Sequence, residues 1–137
     1  MAATNPPATG EYLYAIAESR SKDDYGEAGI DGAPVRWLST GQVAALVSRT
    51  SRPHLRPERR NLALHNAVLK WAMQDSTVLP VAFGVVATDE EALLRALTEN
   101  HAALAAQLAR VRDKVEMGLR VVWEVQNLFE YFVRLRP

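Results

Sequence analysis

Apolar positions fall into blocks of two periods, some alternating or continuous as in strands, others recurring every three or four residues as in helices. Tyr12 to Ala17 is an unbroken aromatic and aliphatic run, and the polar stretch Glu18 to Gly32 that follows holds Gly26, Gly29 and Gly32. A first strand and a long loop are expected there. Val35 to Leu38 predicts a short second strand. After a break at Gly41, Val43 to Val47 is continuously apolar, which suits a strand covered on both faces or at a sheet centre, paired with its predecessor as a hairpin.

Pro53 and Pro57 bracket an arginine-rich link. Beyond it Leu62, Leu69 and Ala72 recur at helical spacing with His65 in the same stripe, and Pro57 with Glu58 suits the helix start. Thr77 to Val86 is apolar but punctuated by Pro80 and Gly84, so it reads as strand. Pro80 cannot donate to a ladder and belongs at a strand start, an edge or a bulge. Thr88-Asp89-Glu90-Glu91 spells a capping box, with the Thr88 hydroxyl and the Glu91 carboxylate satisfying free backbone donors. The helix it opens has the stripe Leu94, Leu97, His101, Leu104, Leu108 and Val111 and, as one piece, would be roughly 35 Å long.

Lys114 to Trp123 alternates strictly, with Val115, Met117, Leu119, Val121 and Trp123 on one face, and predicts a last strand. Glu124 to Arg136 then places Val125, Leu128, Phe129 and Phe132 on one side of a short helix. The order implies an α+β fold: a ferredoxin-like, mostly antiparallel sheet with two helices on one face, plus the short C-terminal helix. Three segments are expected, a disordered lead over 1–10, the α+β domain over 11–123 and an amphipathic helix over 124–137.

Composition narrows what such a domain does. The 137 residues allow one core, burying roughly 65–70% of the unfolded chain's surface. Sixteen basic residues balance sixteen acidic ones, so no long-range field draws in nucleic acid or an anionic membrane. No stretch approaches the roughly eighteen apolar residues of a membrane span. Without cysteine there is no disulfide and no thiolate metal site, and a reducing cytoplasm fits. Met1 to Gly10 lacks the basic start and apolar centre of a signal peptide.

Catalytic patterns are missing: there is no nucleophile elbow, no phosphate-binding glycine loop, and no histidine pair at metal-ligand spacing among His54, His65 and His101. No catalytic residue, metal or cofactor is therefore assigned. His65 and His101 each lie in an apolar stripe, on helices expected to sit side by side, and read as buried core histidines, with a small haem-binding protein or enzyme using either of them as the alternative. Arg49, Arg52, Arg56, Arg59 and Arg60 with His54 form the densest charge feature. It is either a solvated loop or a contact for carboxylates or phosphates. The terminal aromatics either dock on their own domain or present an interaction surface. The candidate partner-binding residues are Arg52, Arg56, Arg59, Arg60, Phe129 and Phe132, and the tail also permits self-association.

Several segments occur in a telling order: Tyr12-Leu13-Tyr14-Ala15-Ile16, Asn61-Leu62-Ala63-Leu64-His65, Val78-Leu79-Pro80-Val81-Ala82-Phe83-Gly84, Asp89-Glu90-Glu91, and Lys114-Val115-Glu116-Met117-Gly118-Leu119-Arg120-Val121. In that order they resemble the gas vesicle protein GvpF/GvpL family. The resemblance implies a non-enzymatic accessory component of gas vesicles, located in the cytoplasm at the vesicle, whose partners are the shell protein GvpA and other accessory proteins. It also implies a ferredoxin-like N-terminal domain, here in a short form lacking the family's usual second helical domain. Ala82 and Val85 stand where the family often has a basic residue and a threonine, which would alter any partner contact made there.

Overall fold

The computed structural model describes residues 10–18, 25–74 and 76–113. The expected strand over 114–123, the C-terminal helix and most of the expected lead lie outside them. Among the described residues, β1 (Gly10–Glu18), β2 (Val35–Thr40), β3 (Val43–Thr50), β4 (Val78–Pro80) and β5 (Val86–Ala87) form one antiparallel sheet. Its main order is β2-β3-β1-β4, with β5 also pairing β1. The helices are α1 (Arg59–Met73), α2 (Glu90–Glu99) and α3 (His101–Asp113).

The central strand β1 is buried from Glu11 to Ala17, because it is flanked on both sides and covered on both faces. A register shift between Leu13 and Ala15 sends Tyr12, Tyr14 and Ala15 to one face while Leu13 and Ile16 go to the other. The β2–β3 hairpin turns on Gly41 at φ 55°, a glycine-first turn that matches the twist of the flanking strands. Pro80 ends β4, the outermost described strand on its side, where a missing N–H costs no ladder bond.

The helices divide between the two faces. Val68 and Ala72 of α1 join the cluster around Tyr12, Tyr14 and Leu46, whereas Leu93, Leu97, Leu104 and Leu108 of α2 and α3 join the one around Leu13, Ala45 and Val47. The α+β antiparallel architecture is as expected, but the two helices that share a face are α2 and α3, with α1 across the sheet. Both central strands are apolar on both sides and need cover on both. Each of those four leucines is fully enclosed, and such burial contributes roughly 1.5–3 kcal/mol per side chain.

Three local expectations are corrected. The stripe of α1 that faces the sheet is Asn61, His65, Val68 and Ala72, so Leu62 is exposed and Leu69 only half-buried. The cap of α2 is Asp89, whose Oδ1 accepts from Ala92 N–H at 2.7 Å, and the helix starts one residue later than a Thr88 cap would give. The long helix is two, parted at Asn100, whose side-chain amide donates to the Ala96 carbonyl at 2.8 Å. Asn100 leaves helical geometry at φ −115° and ψ 15°, and its side-chain bond competes with the backbone ladder there.

Candidate functional site

The arginine-rich segment leaves β3 at Thr50, whose Oγ1 accepts from Arg52 N–H. Leu55 tucks into the α1-side cluster, and Asn61 Nδ2 donates to the Arg56 carbonyl at 3.0 Å, so the link is fastened at both ends. Its cations have different fates. Arg52 grips both carboxylate oxygens of Asp31, at 2.6 and 3.1 Å. Arg49 turns back to Glu11 and Glu90. Arg56, Arg59 and Arg60 are exposed, and no carboxylate lies within ion-pair distance of them among the described residues. His54 is exposed too.

Beside this segment is a cleft of about 220 Å³ lined by Gly10, Thr50, Arg52, Pro53, Val86 and Thr88. It is smaller than the roughly 300–1,000 Å³ of ordinary small-molecule sites. At the same end of the sheet, Glu11 is only 1% exposed and accepts from Arg36 at 2.8 Å. Arg36 also reaches Glu90 at 3.3 Å, tying β1 and β2 to the start of α2. The spacing of Glu11, Arg36 and Glu90 does not predict this clamp, since its members are far apart in the chain. The signal was a single carboxylate heading an otherwise apolar strand.

His65 sits on the α1 side of the sheet within a chain of fixed hydrogen bonds. Its Nε2 faces the Val81 carbonyl at 2.9 Å and must donate, which leaves Nδ1 to accept from the Tyr12 hydroxyl at 2.8 Å. The Tyr12 oxygen in turn accepts from Gly84 N–H at 3.1 Å. Burial lowers the imidazole pKa from 6.5 to about 4, against the opposing effect of the Val81 bond, so the ring is neutral near pH 7. Burial also pushes the Tyr12 phenol well up. Both ring nitrogens are engaged, leaving none for a haem iron. His101 is half-buried on α3, so the sheet stands between the two histidines and they do not meet. Among the described residues no cluster of three His, Asp or Glu could hold a metal, and no helix is long and apolar enough to cross a membrane.

A family model for gas vesicle synthesis protein GvpL/GvpF matches residues 10–137. The chain belongs to the GvpL/GvpF family. This GvpL/GvpF chain is 38% identical over 112 residues to gas vesicle protein F of Streptomyces sp. (strain CB03234), covering 80% of the chain and 47% of that relative. It is 28% identical over 126 residues to gas vesicle protein F of Dolichospermum flosaquae, covering 87% and 51%. The crystal structure of GvpF from Anabaena sp. PCC7120 superposes with a TM-score of 0.67 at 27% identity, over 75% of this chain and 45% of that one. GvpF from Microcystis aeruginosa gives 0.65 at 28%, over 75% and 44%. The chain thus spans about half the length of the relatives it matches.

Of the expected binding residues in this GvpL/GvpF chain, Arg56, Arg59 and Arg60 come together at the start of α1, Arg52 is held by Asp31, and Phe129 and Phe132 lie outside the described residues. Val85 is buried in the α2–α3 cluster, and its carbonyl accepts from Leu13 N–H at 3.0 Å. A change there alters packing before it alters any contact outside.

Proposed function

We propose that this chain is a non-enzymatic accessory component of gas vesicle assembly, acting in the cytoplasm by binding the shell protein GvpA or other accessory gas vesicle proteins. The observation that carries the proposal is the family match over residues 10–137. Binding is favoured over catalysis because the most conspicuous titratable group in the core, His65, is locked neutral between Tyr12 and Val81, whereas Arg56, Arg59 and Arg60 are exposed and unpaired among the described residues. A rigid sheet covered on both faces suits a scaffold that presents one helix surface to a partner.

Co-expression of the tagged chain with GvpA tests this. GvpA should co-purify with it above the level seen for a charge-matched control domain. Absence of GvpA under conditions in which the Streptomyces relative retains it would refute the assignment.

A further inference from the structure

Helix α1 has one face on the sheet and a second that nothing described covers. From Arg59 to Gln74 there are three cations, Arg59, Arg60 and Lys70, and no Asp or Glu. None of the three has a carboxylate within ion-pair distance among the described residues. Leu62 and Met73 are the exposed large apolar side chains among those residues, at 37% and 53%. They are eleven positions apart, about three helical turns, so they stand on one line along the helix with half-buried Leu69 between them. Arg59 and Lys70, also eleven apart, form the adjacent, more outward line. An apolar line bordered on its outer side by positive charge that is unpaired among the described residues is a pattern an amphipathic partner can complete.

We infer that the outward face of α1 docks an acidic amphipathic helix of another protein. Its apolar stripe would lie along Leu62, Leu69 and Met73, and its carboxylates would meet Arg59 and Lys70; Arg60 lies further round the helix. The inference rests on the binding role proposed above and adds the surface and the chemistry of the partner. Charge decides the occupant. The chain's own residues 114–137 carry four cations against three acids, no excess of acid to match this face. A second copy meeting it symmetrically would set cation against cation.

The test uses two synthetic helical peptides with the same leucine stripe, one flanked by Glu and one by Lys, read by fluorescence anisotropy with the full chain. The Glu peptide should bind and weaken as salt rises from about 0.05 M to about 0.3 M, where screening shortens to several ångströms. The triple variant R59E/R60E/K70E, which reverses every cation of the helix, should bind it about tenfold or more weakly, as expected when two exposed pairs turn to repulsion, and should prefer the Lys peptide instead. Leu62→Ser with Met73→Ser should weaken both interactions while the thermal melt stays near wild type. Equal binding of both peptides, binding of neither, or unchanged affinity in the triple variant would overturn the inference. So would self-association in sedimentation that the triple variant abolishes, since the occupant would then be a second copy. GvpA co-purifying equally with wild type and triple variant would sink this surface and leave the binding role standing; the expected peptide preference with no GvpA retained would do the reverse.

Discussion

Protonating His65 should weaken the fold, and the size of the effect follows from its surroundings. The ring is 3% exposed, donates from Nε2 to Val81 and accepts at Nδ1 from Tyr12. A second ring proton would turn Nδ1 into a donor facing the Tyr12 hydroxyl, whose oxygen already accepts from Gly84. Tyr12 would have to swing its own proton away from its partner. In the unfolded chain the imidazole takes up its proton near pH 6.5, whereas in the folded chain it does so only near pH 4. Between those values the unfolded state binds more protons, so stability falls as pH falls. The gap, at about 1.4 kcal/mol per pH unit, amounts to about 3 kcal/mol. That stability is fully present above pH 6.5 and gone once pH passes below about 4. The assay is urea unfolding of wild type and His65→Gln across this range, since Gln can offer the same donor and acceptor without titrating and the difference cancels other groups. Wild type should lose up to about 3 kcal/mol relative to the variant. A flat difference curve would refute the reasoning. Direct NMR titration of the ring supplies a check that needs no variant, and a midpoint near 6.5 would refute it equally.

Other consequences follow from single contacts. A Cβ at Gly29 would lie 2.5 Å from the Tyr14 hydroxyl oxygen and 2.6 Å from Val35 Cγ2. Gly29→Ala should therefore cost about 1–3 kcal/mol in a denaturant melt, with partial recovery on adding Tyr14→Phe. Asp89→Ala should cost about 1 kcal/mol and Thr88→Ala much less, and the reverse ranking would contradict Asp89 as the cap. Glu11→Ala should cost about 2–3 kcal/mol by stripping Arg36 of its buried partner. Arg49→Ala, on the exposed rim of the same cluster, should cost less than about 1 kcal/mol.

Local pattern alone carried the strand runs at Tyr12, Val35 and Val43, the hairpin at Gly41 and the helix after Pro57, and it limited Pro80 to a strand start, an edge or a bulge. Each follows from period, turn chemistry or a missing donor, which depend on near neighbours only. The ordered segments from Tyr12 onward also sufficed to point to the GvpF/GvpL family, which the match over residues 10–137 bears out. Stripe assignments were less legible. Leu62 and His65 both fit the helical repeat, and only the position of α1 over Tyr12 and Tyr14 turns His65 inward and Leu62 out.

What the sequence by itself determined was the first three strands, the first helix and the chain's kinship. The tertiary structure decided which face each helix covers, that Asp89 rather than Thr88 caps α2, and which arginines lack a carboxylate partner among the described residues. Those outcomes depend on where partners such as Glu11, Asp31 and Val81 lie in space, and residues distant in the chain leave no periodic trace of whom they will meet.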